Sequence, residues 1–188
     1  FEDEFGTYIM NSKDLRAVQH VRQLMEMGIE SIKIEGRTKS CYYVARTAQV
    51  YRQAIENGMQ GQDFDMSLMD DLEKLASRGY TEGFYRRHPP AEFQNYEQGR
   101  SVSEKQQFVG EVQSVDGDKL NIEVKNKFQV GDSLELMLPT GNETFVLDQM
   151  ENDKGQDMIV APGSGHRVRI AASNLDLSRD IGKFGILL

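Results

Sequence analysis

The sequence predicts a chain of mixed class, an α/β segment over residues 1–60 and an all-β domain over 105–188, joined by a helical and extended linker at 61–104. Three observations carry this reading. Apolar residues recur at helical spacing in the first third of the chain. Apolar and polar residues alternate in the last third, with glycines between the runs. The order in the first part is strand, helix, strand, helix, which belongs to a parallel sheet or barrel.

Thr7-Tyr-Ile-Met10 reads as the first strand, with Asn11 and Ser12 as turn and cap. A helix is predicted from Asp14 through Leu15, Val18, Val21 and Met25, ended by Gly28. Ser31-Ile-Lys-Ile-Glu35 reads as the second strand, with Ile32 and Ile34 on one face and Lys33 and Glu35 on the other. Ser40 is placed to cap a helix whose apolar stripe runs Val44, Ala48, Tyr51, Ile55 and which closes at Asn57-Gly58. A short helix through Leu68, Leu72 and Leu75 stops near Gly79, and residues 80–100 read as an extended connection. Two strands are too few for a parallel sheet, which must be covered on both faces. The rest of that sheet is expected upstream, and the start at Phe1 is not expected to be the natural one.

From Phe108 the pattern changes. Strands are predicted at 108–112, 119–124, 132–138, 143–147 and 166–170, with Gly117, Gly131, Gly141 and Gly155 at or near the turns. Short strands at this spacing form a small antiparallel barrel or sandwich.

Composition narrows the function. The net charge is −8. Residues 1–100 carry 13 basic and 16 acidic side chains, and residues 101–188 carry 9 and 14. Neither part is a basic module, so an RNA contact has to use a local patch. No stretch reaches the roughly 20 apolar residues of a membrane span. Cys41 is the single cysteine, which favours a reducing, cytoplasmic setting and leaves no internal disulfide or cysteine metal cage. His20, His88 and His166 are scattered, without the spacing of a zinc site, so no metal is predicted.

The strongest candidate site is Lys33-Ile-Glu-Gly-Arg-Thr-Lys39. In parallel α/β folds, ligands sit at the carboxyl ends of strands. Lys33, Arg37 and Lys39 around Glu35 suit an anionic ligand: a phosphate, a carboxylate metabolite or an RNA backbone. The same spacing also fits an internal Lys–Glu ion pair with surface charges. Asn11-Ser-Lys-Asp14 offers Lys13 and backbone N–H groups to the same mouth, or is an ordinary helix cap. Arg78, Arg86, Arg87 and His88 beside Tyr80, Phe84 and Tyr85 offer stacking to RNA bases, or form a solvated linker.

Several ordered runs resemble one family. Asn11-Ser-Lys-Asp-Leu15, Ile32-Lys-Ile-Glu-Gly-Arg-Thr-Lys-Ser40, Tyr42-Tyr-Val-Ala-Arg46 and Arg78-Gly-Tyr-Thr-Glu-Gly-Phe84 carry the likeness in the first part. Gln107-Phe-Val-Gly-Glu111 and Val124-Lys-Asn-Lys-Phe-Gln-Val-Gly-Asp-Ser-Leu-Glu-Leu136 carry it in the second. The chain resembles the C-terminal part of the peptidase U32 (collagenase-like) family, and within it a prephenate-dependent tRNA uridine hydroxylase branch. The resemblance implies the terminal part of a TIM-like barrel followed by a C-terminal β-barrel of translation-factor type. It implies hydroxylation of wobble uridine to 5-hydroxyuridine, with tRNA, a small anionic metabolite such as prephenate and the upstream barrel of the same protein as partners.

In that reading Glu35 and Arg37 are the catalytic candidates, and Lys13, Lys33 and Lys39 bind the anion. Lys125 and Lys127, with Phe128 nearby, help hold tRNA. Some family members carry an iron–sulfur cluster on cysteines. Many relatives have a cysteine after the Asn-Ser-Lys-Asp-Leu run, where this chain has Arg16, so the resemblance implies no cofactor within the 188 residues and leaves an iron–sulfur cluster to the full-length protein. Two alternatives stand beside this one: a U32-type peptidase, and a non-catalytic module that binds RNA or protein. Proteolysis finds no nucleophile–base pair among these residues, and the chain alone is expected to be inactive.

Overall fold

The computed structural model describes residues 2–3, 6–7, 13–75, 77, 79–85, 106–171, 175 and 185–188. The chain divides into two compact units, Phe1–Gln106 and Gln107–Leu188. Residues 8–12, Arg78 and 86–105 lie outside the described set, and with them most of the first predicted strand and the Arg86–His88 patch.

Unit 1 opens with a two-stranded antiparallel ladder, β1 (Glu2–Asp3) on β2 (Gly6–Thr7). Asp14 and Leu15, predicted to begin a helix, instead form β3 (Asp14–Leu15). Its parallel partner is β4 (Tyr80–Thr81), in the stretch read as a connection. Two backbone bonds hold the pair, Asp14 N–H to Gly79 O at 2.9 Å and Arg16 N–H to Thr81 O at 2.8 Å. The helix therefore begins late, as a 3-10 turn at Val18–His20 running into α1 (Val21–Glu26). Gly28, at φ +82°, ends it in the left-handed conformation that glycine adopts without strain.

Ser31–Glu35 forms no strand among the described residues, and Ile32 and Ile34 are 39% and 45% exposed. The alternation is present, but among the described residues no neighbouring strand pairs with it. A strand is completed by its partner's hydrogen bonds, not by its own pattern.

The second helix forms where the sequence places it. In α2 (Cys41–Met59), the Ser40 hydroxyl accepts the Tyr43 N–H at 3.2 Å, closing the N-cap. Its buried face differs from the predicted stripe. Tyr42, Arg46, Thr47, Val50 and Ala54 point inward, while Val44 and Ala48 are exposed. The aliphatic pattern misleads here because Tyr42 and Arg46 bury long stems that carry polar ends. α3 (Ser67–Glu73) brings Leu68 and Leu72 onto this face, and Leu75 follows them into the core. The Tyr80 hydroxyl donates to Leu72 O at 2.6 Å, tying β4 to α3.

Unit 2 is mainly β, as its alternating runs predict. The principal strands are β5 (Gly110–Asp116), β6 (Lys119–Val124), β8 (Ser133–Leu138), β9 (Gly141–Val146) and β12 (Arg167–Ala171). Four short strands without a sequence signal complete it: β7 (Phe128–Gln129), β10 (Met150–Asn152), β11 (Val160–Ala161) and β13 (Ile186–Leu187). Seven of the strands make one curled, antiparallel half-barrel sheet in the order β10-β12-β6-β5-β13-β8-β9, and β11 pairs with β7 apart from it. Leu120, Ile122, Val124, Leu134, Leu136, Val168 and Ile170 fill its concave face. Polar residues alternate with them outward.

The strand nearest the chain end is inserted centrally. Leu187 faces Gly110 on one side and Leu136 on the other, and Leu188 and Glu135 exchange two backbone bonds of 2.9 Å. Gly110 is demanded by close approach, because a Cβ there would lie 2.5 Å from Ile122 Cγ2. A β-bulge between Val112 and Ser114 adds twist to β5.

Candidate functional site

Unit 1 carries a cavity of about 450 Å3. Several parts of the chain build it. β3 and the residues flanking it contribute Lys13, Asp14 and Arg16. The segment before α2 contributes Lys33, Glu35 and Lys39. Tyr43, Thr47 and Tyr51, spaced i, i+4, i+8, present one stripe of α2 to it. Tyr80 and Tyr85 complete an aromatic lining.

Asp14 organises the polar wall. Its Oδ2 accepts Lys39 Nζ at 2.5 Å and the Tyr43 hydroxyl at 3.2 Å. Lys39 Nζ also lies 4.5 Å from the centre of the Tyr43 ring. On the other side the Arg16 guanidinium lies 4.5 Å from the Tyr80 ring centre and reaches Glu73 at 3.4 Å. Burial, then the charge of Asp14, pushes the Tyr43 hydroxyl well above the usual phenol range. Burial pushes Tyr80 up to about 12. Tyr51 is raised by burial, opposed by the Ala17 N–H that its oxygen accepts at 3.0 Å. All three remain neutral at physiological pH and able to donate a hydrogen bond.

The candidate residues of the sequence separate into two groups. Lys13, Lys33, Glu35 and Lys39 line the cavity, and Arg37 lies outside its lining. Lys33 Nζ is 3.2 Å from Glu35 Oε2 and Arg37 4.0 Å from Glu35 Oε1, on side chains that are 84%, 63% and 87% exposed in the order Lys33, Glu35, Arg37. Lys39 is different, since its charge is spent on a largely buried carboxylate. In unit 2, Lys125 sits between Glu123 at 2.8 Å and Glu111 at 3.5 Å, whereas Lys127 is exposed. Phe128 is buried in the core and offers no ring to a base.

Sequence reasoning does not assemble Asp14, Arg16, Tyr43, Thr47, Tyr51 and Tyr80 into one constellation, although it offers Tyr80 and Tyr85 as stacking rings and places Asp14 beside Lys13. It also missed a pair separated by 62 positions, His20 Nε2 and Glu82 Oε2 at 3.1 Å, with the His20 ring stacked on Tyr85 at 5.0 Å.

Among the described residues no group of three or more His, Cys, Asp or Glu could hold a metal ion. Cys41 is the only cysteine, and an iron–sulfur cluster held by cysteine needs several thiolates. The residues present do not fit such a cluster. No helix among the described residues is long and apolar enough to cross a membrane.

Comparison with known proteins agrees with this division into two parts. The chain is 63% identical over 169 residues to tRNA hydroxylation protein P of Escherichia coli, covering 89% of this chain and 37% of that protein. It is 57% identical over 170 residues to tRNA hydroxylation protein P of Haemophilus influenzae, with 89% and 37% covered. The chain thus spans about 37% of the length of these relatives. The solved C-terminal domain of a Geobacillus thermoleovorans putative U32 peptidase aligns with 44% of this chain and 98% of its own, at 20% identity and a TM-score of 0.38. Residues 2–95 match the model for peptidase family U32, and residues 104–183 match that for the family's C-terminal domain. With both models matched in chain order across the cavity-bearing unit and the half-barrel, this chain belongs to peptidase family U32.

Proposed function

We propose that the protein to which this chain belongs hydroxylates the wobble uridine of tRNA to 5-hydroxyuridine, with prephenate as cosubstrate. The observation that carries this reading is the 63% identity to a tRNA hydroxylation protein over 89% of the chain. The geometry supports a share in binding. Lys13 and Lys33 stand at the cavity, and Arg37 stands on the surface beside it, where phosphate or carboxylate oxygens can reach them. Glu35 lies between Lys33 and Arg37 and orients both.

Insertion of oxygen into a C–H bond is a two-electron oxidation, and its oxidant has to be supplied from outside the side chains gathered at this cavity. The side chains gathered here bind, orient and donate hydrogen bonds, and the 188 residues alone do not turn over. The half-barrel steadies the tRNA, with Lys127 as one of its exposed cations. The unpaired Ser31–Glu35 segment and the exposed Leu15, Ile29, Ile32, Ile34 and Val44 support a further part of this reading. They fit the last units of a TIM-like barrel whose other strands come from the remainder of the protein.

The test is complementation. A strain lacking the gene and any redundant hydroxylation route receives the whole gene, either unchanged or with Lys33→Ala and Arg37→Ala together. The unchanged gene restores 5-hydroxyuridine in tRNA, and the double variant restores at most a tenth of it. Full restoration by the double variant removes these cations from the reaction.

A further inference from the structure

We infer that the outer face of β12, β6 and β5 in the half-barrel grips the phosphate backbone of tRNA, with Arg167 and Arg169 each taking one phosphate. The inference rests on the tRNA-hydroxylation reading and assigns the half-barrel its contact. Residues 101–188 carry 9 basic and 14 acidic side chains, so a contact with a polyanion has to be made where cations are left over.

A groove of about 270 Å3 crosses these three strands. Arg167 and Arg169 of β12 line it, with Asn121 of β6 and Gln113 and Ser114 of β5. Val168, between the two arginines, is buried in the core. Side chains alternate along a strand, so both arginines project from the opposite, outer face. Two residues of a strand span about 6.6 Å, close to the step between consecutive phosphates of one nucleic-acid strand. The Asn121 amide donates to Ser114 Oγ at 3.0 Å and gives the groove a polar floor.

The strand register sets a carboxylate across from each arginine, Glu123 from Arg167 and Glu151 from Arg169. Other side chains have taken both. Lys125 Nζ lies 2.8 Å from Glu123 Oε1, and Gln113 Nε2 donates to Glu123 Oε2 at 3.1 Å, so both oxygens of that carboxylate are engaged. Lys119 Nζ donates to Glu151 Oε1 at 2.6 Å. Glu123 is held below the usual carboxylate range first by its bond to Lys125, and Arg167 comes last among the causes. Among the described residues neither arginine makes a hydrogen bond or an ion pair. The lysines thus answer the acids and leave two guanidinium groups with their donors free. A guanidinium offers those donors as a planar fork that matches phosphate oxygens. Asp153 also lines the groove and is the carboxylate that an entering phosphate has to pass.

The test is the salt dependence of tRNA binding by the whole protein, unchanged, with Arg167→Gln and Arg169→Gln together, and with Arg167→Lys and Arg169→Lys together. Each phosphate neutralised on a single strand adds about 0.7 to the slope of log affinity against log salt, so the glutamine pair is expected to lower that slope by about 1.4 and to weaken binding at low salt roughly ten-fold. The lysine pair keeps the charge and is expected to keep the parent's slope. Asp153→Asn is expected to bind tRNA more tightly than the parent. The thermal unfolding midpoint of the glutamine pair is expected to equal the parent's, because the arginines bond to nothing in the fold. A lowered midpoint means that the arginines are held by another part of the protein and overturns the inference. So does an unchanged slope in the glutamine pair while the parent binds tRNA and restores 5-hydroxyuridine, and in that case the reading beneath survives. If the parent neither binds tRNA nor restores hydroxylation, that reading has failed and the inference falls with it.

Discussion

Lys39 Nζ lies 2.5 Å from Asp14 Oδ2, and both side chains are mostly buried, at 16% and 8% exposure. This ion pair fastens the segment before α2 to the end of β3. A cation that the sequence offers to a ligand thus closes a structural bond instead. Removing one partner of such a pair leaves the other charged and desolvated. Asp14→Ala is therefore expected to destabilise unit 1 by about 3 kcal/mol, and the double variant Asp14→Ala with Lys39→Met by less than the two single changes added. Urea unfolding of the four proteins measures the coupling, and simple additivity would show that the pair contributes nothing.

The tyrosines give a pH signature. All seven lie at or before Tyr96, so none is in unit 2. Tyr43, Tyr51 and Tyr80 are held protonated above the ordinary phenol range, Tyr80 to about 12. Their folded pKa values exceed the unfolded ones. The stability this reflects is fully present below pH 10 and is lost as pH rises through 10 toward 12. Absorbance titration of tyrosinate should show some rings ionising near pH 10 and the rest only at higher pH or on unfolding. A single transition near pH 10 in the folded protein would contradict the buried hydroxyls.

In unit 2 the sharpest packing constraint is Gly110 against Ile122. Gly110→Ala places a methyl group 2.5 Å from Ile122 Cγ2 and 3.1 Å from Glu123 O. A cost of about 1–3 kcal/mol is expected, as for other overpacked cores. Leu136→Ala, at a fully buried position, is expected to cost about 2–5 kcal/mol by opening a cavity. Denaturant midpoints of the two variants measure both effects, and an unchanged midpoint for Gly110→Ala would refute the close approach.

The exposed apolar side chains of unit 1 predict self-association of the 188-residue chain. Ile32 and Ile34 alternate along a segment with no strand beside it among the described residues, which is an invitation to pair with another chain. Light scattering after size-exclusion chromatography is expected to show dimers or larger species, reduced by Ile32→Ser with Ile34→Ser. A clean monomer at high concentration would show that this face needs no cover.

The legibility of the sequence followed the range of the interactions. β6, β8 and β12 could be read because period-two alternation is local, and α2 because Ser40 caps it locally. β13 could not, since two residues carry no period and its place between β5 and β8 is decided by partners some 50 to 75 positions away. The Lys33–Lys39 run was visible as charge, but its division into Lys39 paired with Asp14 and Arg37 left at the surface depends on where β3 ends. Asp14 reads as a helix start because its strand is specified by Tyr80 and Thr81, far along the chain.

The measurement closest to the central claim is nucleoside mass spectrometry of tRNA from cells lacking the gene and any parallel hydroxylation route, with and without the whole gene restored. The account predicts that wobble 5-hydroxyuridine and its derivatives vanish without the gene and return with it. Equal amounts in the two strains would contradict it.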